Sequence, residues 1–205
     1  MLYFPYCFPD GINMLTLLAY DLNSTLASSF EMNYQIDNFP SGALDVASQI
    51  YYLAFVAPGQ TSQLTIVALQ LQTFDQTHYT IDIGEEVLKT DMLQLYGHGS
   101  NLFLAKYPNG TMGEIFVSSI NLEFGQMTKL ISIPDRYIPA YTSPFVHSYT
   151  YSPFVHDTEN NFIVVLDQPS TTELVIHNLD METLNVTLIT VPNNIPTGRN
   201  LYYAY

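Results

Sequence analysis

The chain repeats one unit of about fifty residues four times. Each copy contains an apolar segment that ends in a leucine, and successive leucines are spaced 49, 51 and 57 residues apart. They are Leu22, Leu71, Leu122 and Leu179. A second series recurs at 47, 50 and 58 residues, and its members are Ile36, Ile83, Ile133 and Val191. In both series the spacing between successive members increases along the chain. Because the two series change together, the chain is predicted to be an array of one supersecondary unit.

Each unit has the pattern of short β-strands separated by turns. Aromatic and β-branched residues fill the apolar segments, and Pro and Gly interrupt them, as in Pro58-Gly59 and Pro108-Asn109-Gly110. Proline presets φ at the start of a turn, and glycine permits positive φ. With the strands of a unit labelled A to D, the predicted B strands are Leu2–Phe8, Ile50–Val56, Asn101–Tyr107 and Asn161–Leu166. The C strands carry the marker leucines, and the D strands alternate apolar and polar residues.

The order of the strands is shifted by one relative to the ends of the chain. The predicted A strands are Ala43–Ser48, Met92–Gly97, Phe145–Tyr149 and Asn200–Tyr205. The last of these has no B, C or D strand after it, and the first unit has no A strand before it. The closing strand, with Leu201, Tyr202, Tyr203 and Tyr205, is therefore predicted to complete the first sheet. Alternatively, it completes the first sheet of a neighbouring molecule and builds a filament or another oligomer.

This strand-turn-strand texture resembles the blades of secreted β-propellers. The chain has no Trp, so the Trp-Asp signature of WD40 blades is absent, and so are the paired glycines of kelch blades. Hemopexin-like rings usually join their ends by a disulfide, which the single Cys7 cannot form. The resemblance implies an all-β, four-bladed propeller with four antiparallel strands in each blade, or four blades of a larger ring. The single domain is expected to span 1–205, with repeats near 1–40, 41–90, 91–140 and 141–199, and with 200–205 completing the first blade.

Charge and hydropathy exclude several kinds of partner. Five Lys and Arg residues face nineteen Asp and Glu residues, which gives a net charge of −14. That field repels a phosphate backbone, so nucleic acid is not an expected partner. The apolar runs end before eighteen residues, so membrane insertion is not expected.

Three Asn-x-Ser/Thr tripeptides are candidate glycosylation sites, at Asn23, Asn109 and Asn185. Lysine is scarce, while Tyr, Thr and Asn are abundant. Together these features indicate an extracellular or secreted protein.

A short duplication in the fourth unit supplies the candidate metal ligands. Ser143-Pro144-Phe145-Val146-His147 recurs nine residues later as Ser152-Pro153-Phe154-Val155-His156, and Asp157 follows. His147, His156 and Asp157 would suit zinc or another divalent cation if the fold brought them together. The alternative is a loop or hairpin formed by the duplication, without a metal. The remaining histidines, His78, His98 and His177, are interpreted as structural.

No nucleophile elbow, zinc-protease helix or nucleotide-binding loop is present, so no catalytic residue and no cofactor is predicted. The main functional prediction is a non-catalytic extracellular module with a structural, adhesive or binding role. Its partners would be a protein, a glycan or copies of itself. The alternative is a propeller hydrolase or lyase with a metal-assisted site at one end of the ring.

Overall fold

The computed structural model describes residues 2–7, 15–20, 26–32, 34–36, 40–88, 90–99, 101–138, 152–170 and 172–192. These residues form β-strands and no helix. The strands are β1 (Leu2–Cys7), β2 (Leu15–Tyr20), β3 (Leu26–Met32), β4 (Ser41–Asp45), β5 (Ile50–Phe55), β6 (Gln63–Gln70), β7 (Gln76–Asp82), β8 (Met92–His98), β9 (Asn101–Tyr107), β10 (Met112–Asn121), β11 (Gln126–Tyr137), β12 (Phe154–Asp157), β13 (Phe162–Ser170), β14 (Glu173–Asp180) and β15 (Val186–Pro192). The described residues contain no helix with the length and apolar character needed to cross a membrane.

The strands form four antiparallel sheets, in each of which neighbours along the chain are neighbours in space. Sheet 1 contains β1–β3, sheet 2 contains β4–β7, sheet 3 contains β8–β11 and sheet 4 contains β12–β15. The all-β prediction is confirmed, with three four-stranded sheets. Sheet 1 has three strands among the described residues, and the predicted closing strand at 201–205 lies outside them. A closed four-bladed ring is therefore not seen in this structure.

Among the described residues, the fourth sheet begins later in the chain than the A strand that the sequence predicted. The prediction placed it at Phe145–Tyr149, which begins in the first copy of the duplicated pentapeptide and lies outside the described residues. The fourth sheet instead begins with β12, Phe154–Asp157, from the second copy. The two copies have the same five residues, so strand propensity cannot distinguish them. The second copy pairs with β13, in the register Phe154 opposite Val165.

The described chain divides into two compact units. Unit 1 comprises Met1–Leu104 and Ser119–Thr128, and unit 2 comprises Ala105–Ser118 and Lys129–Tyr205. In unit 1 an apolar cluster covers one face of sheet 2, formed by Ile36, Tyr51, Leu53, Phe55, Val67 and Leu69. In unit 2 the buried rings of Tyr107 in β9 and Phe154 in β12 meet edge to face, with centroids 5.7 Å apart. This contact packs part of sheet 3 against sheet 4, and sheet 4 contributes two residues of the candidate site.

Candidate functional site

The predicted metal ligands are only partly within the described structure. His156 and Asp157 lie in β12, whereas His147 lies outside the described residues. Successive side chains of a strand point to opposite faces, so His156 and Asp157 do not converge on one point. Within the described ranges, no group of three or more His, Cys, Asp and Glu side chains could hold a metal ion. The metal site stays a prediction.

The Asp157 carboxylate stabilises the turn between β12 and β13. Its Oδ1 accepts hydrogen bonds from the backbone N–H groups two and three residues later, at 3.1 Å each. Its Oδ2 accepts a hydrogen bond from the side-chain amide of Asn160 at 2.8 Å. These bonds, that of the Asn160 side chain first, lower the pKa of Asp157. Asp45 accepts the same two backbone bonds at the end of β4, so the two aspartates share a role in the A-to-B turn.

Two of the three candidate glycosylation sites lie in described turns. Asn109 lies between β9 and β10, and Asn185 lies in the exposed turn between β14 and β15. Asn23 lies outside the described residues. Glycosylation of these residues stays a prediction.

A partly buried ion pair in unit 2 is the centre of the candidate site. Arg136 in β11 donates from Nε to Asp167 Oδ1 at 2.6 Å, and from Nη2 to Asp167 Oδ2 at 3.0 Å. This bidentate geometry matches the planar guanidinium to the carboxylate. The Asp167 side chain is 8% exposed, and the Arg136 side chain is 30% exposed. The hydrogen bond to Asp167 raises the pKa of Arg136, so the guanidinium stays charged.

The guanidinium keeps donors that this pair does not use. Arg136 Nη1 donates to the carbonyl oxygen of Pro134 at 3.3 Å. A guanidinium has five N–H donors. Two of the five therefore have no partner among the described residues, and they belong to a side chain that solvent reaches.

Two backbone irregularities flank the ion pair. Ile131 and Ile133 are buried, so regular alternation would place Asp135 inside and Arg136 outside. Asp135 instead has a φ of 54°, and beyond it the exposed and half-buried positions exchange. On β13, the register shifts by one residue between Asp167 and Ser170, which marks a β-bulge or a similar irregularity. The positive φ of Asp135 directs the Arg136 side chain towards sheet 4. Strand irregularities such as the one in β13 are frequent beside active sites.

His177 lies on the same face of sheet 4 as Asp167. It is directly opposite Val165 of β13 and Leu188 of β15. Asp167 is two residues beyond Val165, and residues two apart share a face of the sheet. The imidazole is thus placed diagonally across from the buried carboxylate.

The imidazole of His177 is neutral and lacks a hydrogen bond at one nitrogen. Burial lowers its pKa; the charge of Asp167 opposes this shift, and that of Arg136 adds to it. Its Nε2 is buried and has no hydrogen-bond partner among the described residues. Leaving such a group unsatisfied costs about 1–3 kcal/mol, so native proteins contain few of them.

Together these residues can perform acid–base chemistry. A neutral imidazole at pH 7 can accept a proton, which a protonated one cannot. The remaining N–H groups of Arg136 can donate hydrogen bonds to an oxygen on which negative charge develops. Asp167 holds the guanidinium in place for that role.

None of these residues was predicted from the sequence to belong to a site. His177 was interpreted as structural, and neither Arg136 nor Asp167 was singled out. A usable signal was proline, because a proline within a strand marks an edge or a bulge. Pro134 precedes Asp135, and Pro169 follows Asp167 by two residues, so both irregular strands carry one.

No protein-family model and no curated protein matches the sequence. Solved structures do match. The periplasmic gluconolactonase PpgL of Pseudomonas aeruginosa is 11% identical, with a TM-score of 0.39 over 93% of this chain and 70% of that chain. A protein from Bacteroides uniformis, named as a 6-phosphogluconolactonase, is 10% identical, with a TM-score of 0.38 over 91% and 70%. Apo AztD from Citrobacter koseri is 9% identical, with a TM-score of 0.31 over 92% and 59%.

These names correct the main functional prediction. The sequence predicted a non-catalytic extracellular module with a structural, adhesive or binding role, and that prediction is wrong, because two of the neighbours are named as lactonases. The alternative prediction, a hydrolase, agrees better with those names. The metal assistance attached to that alternative has no support among the described residues.

Proposed function

We propose that the chain is a hydrolase that cleaves a lactone or another carboxylic ester, with His177 as its general base. The observation that carries the proposal is the buried Nε2 of a neutral His177, which has no partner among the described residues and lies beside the Arg136–Asp167 pair. Orphaned polar atoms and lowered histidine pKa values are both concentrated at functional sites.

The proposed reaction uses each group once. His177 Nε2 accepts a proton from water, and the water oxygen attacks the carbonyl carbon of the ester. The N–H groups of Arg136 that remain available donate to the carbonyl oxygen as it gains negative charge. The tetrahedral intermediate then expels the alkoxide, which takes the proton back from the imidazolium. The products are a carboxylic acid and an alcohol, which in a lactone are parts of one opened molecule.

Gluconolactone, the molecule in the name of one neighbour, is the first substrate to test. Purified protein is expected to accelerate the release of acid above the spontaneous rate. His177→Gln is expected to lower the accelerated rate by about 10²–10⁴-fold, which is the usual contribution of general-base catalysis. His78→Gln, which changes an exposed histidine of sheet 2, is the matched control and should retain the rate.

Two results would contradict the proposal. One is hydrolysis at the spontaneous rate for a range of lactones and esters. The other is a His177→Gln variant that is as active as the unaltered protein. Circular dichroism of each variant shows whether a loss of activity comes from the missing imidazole or from unfolding of the protein.

We also propose that the four sheets are the blades of one propeller and that 200–205 supplies the fourth strand of sheet 1. The three-stranded sheet 1, which begins at a B strand, supports this arrangement. Removal of 200–205 should then destabilise the protein. We further propose that the chain acts outside the cytoplasm, as its candidate glycosylation sites suggest.

A further inference from the structure

We propose that the Arg136 site selects uncharged substrates and rejects anionic ones. This inference rests on the proposed hydrolase function and adds the substrate class. It follows from the charges that surround the single guanidinium of the site.

The positive charge of Arg136 is already neutralised by its neighbours. Asp167 binds it with both carboxylate oxygens. Asp135, the preceding residue, adds a second carboxylate whose charge also acts on the guanidinium. With His177 neutral, the site carries one positive and two negative charges. An anion approaching Arg136 therefore meets a net negative charge.

The rest of the fourth repeat adds to this field. Between Arg136 and Arg199 the sequence contains no Lys or Arg. The same stretch contains six carboxylates, at Asp157, Glu159, Asp167, Glu173, Asp180 and Glu182. Sheet 4, which supplies Asp167 and His177, therefore has no cation of its own to bind a phosphate or carboxylate. The net charge of −14 on the whole chain acts in the same direction.

The hydrogen-bonding capacity of the site is suited to a neutral carbonyl. The two N–H groups of Arg136 that have no partner among the described residues can donate to an uncharged oxygen. Such donation does not require a net positive field. A carboxylate or phosphate would usually require an uncompensated Arg or Lys, which this site lacks.

The test compares an uncharged sugar δ-lactone with the same lactone carrying a phosphate ester, which adds a charge of about −1.5 to −2 at neutral pH. We expect kcat/KM for the uncharged lactone to be at least about tenfold higher at low ionic strength. The ratio should shrink as salt is added, because salt screens the repulsion.

Asp135→Asn identifies the source of the selectivity. Asparagine tolerates positive φ, so this variant removes the charge and keeps the backbone conformation. It should reduce the ratio several-fold by raising kcat/KM for the phosphorylated lactone. Glu159→Gln, which removes the same charge from an exposed turn, is the matched control and should change the ratio less.

The outcomes are distinguishable. Equal or faster hydrolysis of the phosphorylated lactone overturns the selectivity and leaves the hydrolase proposal intact. A ratio that is insensitive to salt and to Asp135→Asn also overturns it, because the discrimination would then not be electrostatic. If neither lactone is hydrolysed above the spontaneous rate, the proposed function fails, and the selectivity fails with it.

Discussion

Glycine at position 42 shows how a single missing Cβ positions a core side chain. A Cβ built on Gly42 would lie 1.8 Å from the hydroxyl oxygen of Tyr51 and 2.4 Å from its Cζ atom. The Tyr51 ring thus occupies the space above Gly42, and Tyr51 is 4% exposed. Burial raises the pKa of Tyr51, as expected for a phenol held in an apolar cluster.

Gly42→Ala is therefore expected to destabilise the protein by about 1–3 kcal/mol, the usual cost of overpacking a core. Gly97→Ala is the matched control, since its Cβ would make ordinary contacts at 3.5 and 3.6 Å. Urea denaturation of both variants measures the difference. Equal stability of the two variants would mean that Tyr51 moves aside without cost.

The lowered pKa of His177 makes stability depend on pH. Because burial lowers the pKa of His177 in the folded state, the unfolded chain takes up the proton first as the pH falls. The stability from the neutral imidazole is fully present above the unfolded pKa of about 6.5, and it is lost as the pH falls through the folded pKa.

His177→Gln should consequently lose less thermal stability than the unaltered protein between about pH 7.5 and about pH 5.5. The measurement is the melting temperature of each protein at the two pH values. The other titrating groups are common to both proteins and cancel in the comparison. An identical pH dependence would show that His177 does not contribute.

At the scale of the strands, much of the fold was predictable and the site was not. Apolar segments with turn residues between them located β1, β5 and β9 to within a few residues. The sequence predicted for the fourth A strand occurs in two copies, and the described strand β12 lies in the second copy, after the predicted segment. The site depends on where β11 and β13 depart from regular strand geometry, and residue patterns assume regular geometry.

The change of facing in β11 gives a prediction for Asp135. Asp135→Val should remove the ion pair, because a β-branched residue disfavours a φ of 54° and the strand would resume its alternation. Breaking a buried pair and leaving one charge uncompensated costs about 3–5 kcal/mol, so a large drop in stability is expected. Asp135→Gly, which accepts positive φ, should stay near the unaltered stability. Chemical denaturation compares the two variants, and equal losses would argue against the backbone explanation.

At the scale of the whole molecule, the dominant physical property is charge. Nineteen acidic side chains against five basic ones give a net charge of −14. The excess carboxylates repel one another, and this repulsion destabilises the compact folded state. Ion pairs within the described residues include Lys129 with Glu114 and Arg136 with Asp167.

Added salt should therefore stabilise the folded protein. Raising the ionic strength from about 0.01 M to about 0.15 M shortens the screening length from about 30 Å to about 8 Å, which weakens the repulsion more than it weakens two close pairs. The melting temperature is expected to rise over this range. A fall would indicate that attractive pairs outweigh the net repulsion.

The duplicated pentapeptide gives the chain a spare copy of a strand. Between Tyr137 and Phe154 there are sixteen residues, whereas eight and nine residues separate the corresponding strands β3 from β4 and β7 from β8. Loss of the nine residues 144–152 would leave seven residues in the connection and restore one Ser-Pro-Phe-Val-His sequence before Asp157. A nine-residue deletion at this point of the fourth repeat therefore keeps one copy of the strand sequence and leaves a connection close in length to those before β4 and β8.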